Sequence, residues 1–228
     1  MDEAQYQILR QRMIAEVVAE TVFLTPRLGK SSLAARVVDV LSEVPRHEFV
    51  PLQLRQFAYL NQPLPIACGK TISQPFIVAL MTDLLDPHPE DTVLEIGAGA
   101  GYQAAVLSRL VKEVYSIDVI EELALGASKR LKRLGYSNVE VGVGNGYDGW
   151  PRHAPYDKII VTAAPDLIPP ALIGQLKAGG RLVVPTGTPD AQQLVLAVKN
   201  PDATMTLREV LPVRFSEMEQ GREVSGTA

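Results

Sequence analysis

Read from the N-terminus, the apolar positions first recur at helical spacing and only later in strand-like runs. Ile8, Met13, Val17, Val18 and Leu24 sit in a polar background at intervals that predict an amphipathic helix. A second helix is expected through Leu33, Val37, Val40 and Leu41, capped by Ser31 or Ser32 and stopped before Pro45. Residues 61–75 carry too many prolines and glycines for a long helix, and a third helix is expected over about 76–85. The texture changes at Asp91. Buried-strand patterns at 92–96, 113–118, 139–143, 158–162 and 181–185 alternate with helical runs at 102–111, 120–134 and 170–177. Such alternation predicts a parallel sheet with helices on both faces. The last two runs, 193–199 and 204–211, are joined by Asn200-Pro-Asp-Ala203 and predict an antiparallel hairpin.

The expected fold is therefore α/β, a doubly wound and mostly parallel seven-stranded sheet with N-terminal helices and a C-terminal antiparallel hairpin. The 228 residues are read as one domain, with residues 1–75 as N-terminal helices and loop and residues 76–228 as the sheet core.

Composition narrows the function. Hydrophobic residues make up 46% and charged residues 21%, which suits a globular core. A net charge of −4 without a long basic run argues against nucleic acid as a partner. No apolar stretch approaches the roughly 20 residues of a membrane helix, so no membrane association is expected. Cys68 is the only cysteine, and His47, His88 and His153 lack metal-ligand spacing. A cytoplasmic, monomeric protein without a metal is the expectation.

The most informative segment is Val93-Leu-Glu-Ile-Gly-Ala-Gly-Ala-Gly-Tyr102, where a strand turns into a helix. Glycine there lets backbone approach a ligand at the carboxyl end of an open α/β sheet. Tyr102 stands where a dinucleotide fingerprint would place its third glycine, so the pattern is Glu95-x-Gly97-x-Gly99-x-Gly101. A carboxylate at Glu95 disfavours a pyrophosphate and favours an ammonium. S-adenosyl-L-methionine has no phosphate and carries an ammonium, a carboxylate and a cationic sulfonium. Asp118 ends the next strand, where an acid can accept hydrogen bonds from two ribose hydroxyls. Asn145 and Gly146 follow the third strand at the height of an adenine, and the Asn145 amide can either accept or donate there. An aspartate at 145 is expected to keep or improve cofactor binding.

Beyond this loop the chain resembles the protein-L-isoaspartate O-methyltransferase family from about residue 44 to 215. The resemblance is carried by Val44-Pro-Arg-His-Glu-Phe-Val-Pro51, Pro63-Leu-Pro-Ile66, Thr71-Ile-Ser-Gln-Pro75, the glycine loop, Gly149-Trp-Pro151, Val161-Thr-Ala-Ala164 and Pro212-Val-Arg-Phe215. It implies methyl transfer from S-adenosyl-L-methionine to the α-carboxylate of L-isoaspartyl residues in damaged proteins and peptides. The ester then closes to a succinimide, and repair begins. It also implies an active-site role for Ser73 and substrate contacts from Thr71, Ile72, Val213, Arg214 and Phe215. A carboxylate acceptor is already ionised at neutral pH and needs no general base. Ser73 is accordingly read as a hydrogen-bond donor that orients the reacting groups, a role that can coexist with capping the helix begun near Gln74. Lys70 stands where the family usually has glutamine, Asn145 where it has aspartate, and Asp118 where it has glutamate. Two other readings fit the same loop: a methyltransferase for another nucleophile, or a cofactor-binding protein that has lost catalysis.

Overall fold

The computed structural model describes residues 1–221. Three helices open the chain: α1 (Glu3–Phe23), the single turn α2 (Thr25–Leu28) and α3 (Ala35–Glu43). Met13 and Val17 of α1 are buried, whereas Ile8 and Val18 face solvent, so the apolar stripe is narrower than the spacing suggested. Helix α3 begins later than expected, and neither Ser31 nor Ser32 caps it. Its N-cap is Ala34, whose N–H donates to the Asp83 carboxylate at 2.7 Å, so the cap comes from the neighbouring helix.

A two-residue hairpin, β1 (Leu64–Pro65) against β2 (Thr71–Ile72), lies inside the stretch read as irregular. It leads into α4 (Pro75–Leu85), whose residues are buried almost all round. Pro75 fits the first helical turn, where its missing N–H costs nothing. The sheet core then alternates: β3 (Thr92–Ile96), α5 (Tyr102–Ser108), β4 (Glu113–Asp118), α6 (Glu121–Arg133), β5 (Val139–Val143), β6 (Tyr156–Val161), α7 (Pro170–Gln175) and β7 (Leu176–Thr186). β8 (Gln192–Lys199) and β9 (Met205–Val213) close it. Strand β7 is longer than the apolar run 181–185 because it also pairs with β6 before a register shift near Lys158.

The seven strands lie in the order β5-β4-β3-β6-β7-β8-β9. β5 to β7 are parallel, and β8 runs antiparallel to both β7 and β9. Strand alternation splits the interior into two cores. Val93, Val114, Ile160 and Val183 pack with α1, α3, α4 and α5, while Leu94, Ile117, Ile159 and Leu182 face α7. After β3 the chain winds outward through β4 and β5, then returns to place β6 on the other side of β3. The carboxyl ends of β3 and β6 thus flank a topological switch point, the usual position of a ligand crevice. No helix among the described residues is long and apolar enough to cross a membrane.

Candidate active site

A cavity of about 600 Å³ opens at this switch point. Its floor is the glycine loop. Gly97 has φ 95°, and an added Cβ would lie 2.6 Å from Thr162 Oγ1. That hydroxyl is itself held, donating to the Gly97 carbonyl at 2.7 Å, so a larger side chain has little room. Gly99 also has positive φ and turns its N–H toward β4, where it donates to Asp118 Oδ2 at 2.8 Å. Asp118 Oδ1 accepts from Ile120 N–H at 2.9 Å, which fixes the carboxylate between two loops. Burial pushes the Asp118 carboxyl upward, and the Gly99 and Ile120 N–H groups partly offset this.

Glu95 is fully buried at the end of β3 and faces the same cavity. The Ser116 hydroxyl donates to its Oε2, while Oε1 has no partner among the described residues. Burial pushes its carboxyl up to about 8 with help from nearby Asp118, while the Ser116 hydroxyl and the nearby Ala104 N–H pull it down. A buried acceptor without a donor is costly, so this atom marks a place for a cationic or donor group.

The other wall is Thr71, Ile72, Ser73 and Gln74, carried by β2 and the entry to α4. Fully buried Arg46 fixes this wall. Its guanidinium donates to the carbonyls of Ala58 at 2.8 Å and Ser73 at 2.7 Å and lies 4.9 Å from the Tyr102 ring centre. Burial lowers its pKa to about 10. Ser73 is not the cap of α4; that position is Gln74, which makes no side-chain capping bond. Across the cavity lie Val213, Arg214 and Phe215. Gln192, buried on β8, clamps Phe215 by accepting from its N–H at 2.6 Å and donating to its carbonyl at 3.1 Å. Residues 216–219 continue this wall, and Glu219 pairs with Lys70.

Of the residues read from the sequence, Ser73, Glu95, Gly97, Gly99, Asp118, Gly146, Thr71, Ile72, Val213, Arg214 and Phe215 all line this cavity. Gly101 and Asn145 do not. Gly101 starts α5 at φ 87°, and an added Cβ would lie 3.1 Å from Leu131, so its small size serves helix packing. The Asn145 side chain closes its own turn, accepting from Tyr147 N–H at 3.1 Å and donating to Asp148 at 3.0 Å. An aspartate there would set two carboxylates side by side, so the substitution probes the turn before it probes an adenine. Sequence reasoning missed Glu20, Gln74, Thr162 and Met218 of the lining and the positioning residues Arg46 and Gln192. Arg46, Gln74 and Thr162 lie within the family motifs, but nothing local marks which polar residue of a motif turns inward.

A glycine loop leaving the central strand, an acid ending the next strand and an unpartnered buried carboxylate between them define an S-adenosylmethionine-dependent methyltransferase. The model of the protein-L-isoaspartate(D-aspartate) O-methyltransferase family matches residues 23–223, and the chain belongs to that family. It is 57% identical over 219 residues to protein-L-isoaspartate O-methyltransferase 1 of Polaromonas sp., spanning 96% of this chain and 93% of the relative. With protein-L-isoaspartate O-methyltransferase 2 of Syntrophobacter fumaroxidans the identity is 51% over 217 residues, covering 95% and 88% of the two chains. A solved protein-L-isoaspartate O-methyltransferase superposes with a TM-score of 0.79 at 29% identity, over 93% of this chain and 67% of the other. A Plasmodium falciparum structure in complex with S-adenosyl-L-homocysteine shares the fold at TM-score 0.75 and 18% identity, over 94% and 98% of the two chains.

Proposed function

We propose that this chain transfers a methyl group from S-adenosyl-L-methionine to the α-carboxylate of L-isoaspartyl residues in damaged proteins and peptides, starting repair through a succinimide. One observation carries the reading. In a chain of this family, the Thr71–Ile72 strand with Ser73 and the segment 213–215 face the glycine loop across a single cavity.

The residues fit the cofactor. Glu95 Oε1 offers an acceptor for an ammonium, Gly97 and Gly99 give the backbone room for close approach, and Asp118 stands at the end of β4 for a ribose. The cofactor supplies a methyl group on a cationic sulfonium. The chain's task is to hold an ionised oxygen in line with that methyl and to exclude water. Ser73 can donate to the acceptor carboxylate, and the Arg46 clamp on its carbonyl anchors the backbone that carries the hydroxyl. Methyl transfer from labelled cofactor to matched isoaspartyl and aspartyl peptides tests the assignment. Label is expected on the isoaspartyl peptide alone. Equal labelling of both would point to another carboxylate substrate, and no labelling with intact cofactor binding would point to a protein that has lost catalysis.

Glu95 gives the reading a pH signature. Its carboxyl is neutral well below about pH 8 in the ligand-free protein. An ammonium against Oε1 favours the charged form, so binding at pH 7 is expected to release a proton. Calorimetry in buffers of different ionisation enthalpy measures that release, which should vanish in Glu95→Gln. The same raised pKa means the native state holds a proton that the unfolded chain loses above the ordinary carboxylate range. Glu95 therefore costs the ligand-free fold stability as pH rises from that range toward about 8. Proton uptake on binding, or none, would remove Glu95 from the ammonium site.

One domain spanning 1–228, a cytoplasmic location and a monomeric state belong to the same reading. The first is supported by a core in which Met13 and Val17 of α1 pack in one cluster with Val93 and Val183 of the sheet. Light scattering on the purified chain tests the last.

A further inference from the structure

Glu20 lies on the last full turn of α1, ahead of the stretch matched by the family model. It nevertheless reaches the cavity wall beside Ser73, Gln74 and Ile77. Its Oε2 is held in place by two neutral amide donors, Asn61 Nδ2 at 2.7 Å and Gln74 Nε2 at 3.2 Å. Asn61 in turn accepts from Phe76 N–H at 3.0 Å, so the carboxylate is anchored to the N-terminus of α4. Among the other charges lining the cavity, Lys70 and Glu219 pair with each other, while Arg214, on the wall opposite, and Glu217 form no salt bridge among the described residues. Glu20 forms no salt bridge among the described residues, and no hydrogen bond there uses its Oε1.

We propose that Glu20 is a specificity-determining residue that recognises a positive charge on the substrate next to the reacting residue. This rests on the methyl-transfer reading above. A fixed carboxylate with one uncommitted oxygen, on the wall that carries Ser73, attracts an ammonium or guanidinium and repels a second carboxylate. The reacting group is itself an anion, so a negative charge beside it favours a substrate that carries a compensating cation close by. The cofactor's ammonium is assigned above to Glu95, which shares no hydrogen-bond partner with Glu20. A lysine or arginine immediately before or after the isoaspartyl residue supplies the compensating charge on a long, flexible side chain.

The test compares isoaspartyl peptides that differ only in a flanking lysine or glutamate. Binding to the S-adenosyl-L-homocysteine-loaded protein is read by fluorescence anisotropy, and kcat/KM by methyl transfer. The lysine peptide is expected to be favoured about 10-fold, as for one charge contrast at a partly buried site. Glu20→Gln keeps the side chain's shape and its acceptor toward Asn61, and should bring the ratio to within about 2-fold. S-adenosyl-L-homocysteine affinity and thermal stability should stay close to the parent values. Equal binding of the two peptides to the parent protein overturns the inference, as does a Glu20→Gln protein that keeps the full preference. A loss of S-adenosyl-L-homocysteine affinity with the peptide ratio unchanged overturns it too, by assigning Glu20 to the cofactor. If no peptide is methylated but the lysine preference in binding persists, the charge recognition stands and only the activity fails.

Discussion

Replacing Ser73 by alanine is expected to lower turnover on an isoaspartyl peptide by about 10–100-fold while changing cofactor affinity far less. The magnitude is that of one aligning hydrogen bond of roughly 1.5–3 kcal/mol lost from the transition state. The structure makes the prediction sharper than the sequence could. Ser73 does not cap α4, and its backbone is held by Arg46 through the carbonyl, a bond that the alanine keeps. The variant should therefore melt close to the parent, and its lost turnover should appear in kcat more than in cofactor binding. Melting temperature, cofactor affinity and turnover measured on one preparation decide the matter. Full activity in a stably folded Ser73→Ala protein would leave the serine without a role in the reaction.

The second large effect is expected at Asp118. Asp118→Ala should weaken cofactor binding by about 1.5–3 kcal/mol, the range for hydrogen bonds to a charged group. Two contributions are mixed in that figure. The carboxylate would meet the ribose, and it also accepts from the N–H groups of Gly99 and Ile120, so its loss loosens the glycine loop itself. Asp118→Glu helps to separate them, because it keeps the charge at the end of β4 but moves the oxygens one methylene outward. Recovery of most of the affinity by glutamate would assign the effect to the ribose. Affinity as low as in the alanine variant would assign it to the loop. Unchanged affinity in a folded Asp118→Ala protein, read by calorimetry, would take Asp118 out of the site altogether.

What could be read along the chain was whatever is periodic or local. The central parallel strands were visible because strands buried on both faces read as apolar runs. β5 at the sheet edge was visible because Val139, Val141 and Val143 alternate, and the terminal hairpin because turn residues separate its two strands. The glycine loop and Asp118 were legible for the same reason: a backbone turn at a strand's end needs its residues adjacent in sequence. The loop's three glycines looked equivalent, and here sequence reached its limit. Gly97 and Gly99 face the cavity, but Gly101 faces Leu131 and Ala127 of α6, a distinction made only by where another helix packs.

The remaining features are long-range partnerships, and no local pattern encodes them. Ala34 is capped by Asp83, 49 residues away, although two serines stand closer in the chain. Gln192 looks like an ordinary strand glutamine until β8 brings it against the backbone of Phe215. Asn145 matched an adenine contact by position, and only the structure shows that its oxygen and one of its N–H groups are engaged by Tyr147 and Asp148. Glu20 is one acid on a polar helix surface until α1 packs on α4 and turns it into a cavity wall. Sequence alone determined the kind of sheet, the cofactor loop and the family's motifs, because these depend on backbone conformation and spacing. Tertiary structure decided which polar groups meet, because a buried donor or acceptor takes whichever partner packing brings within reach.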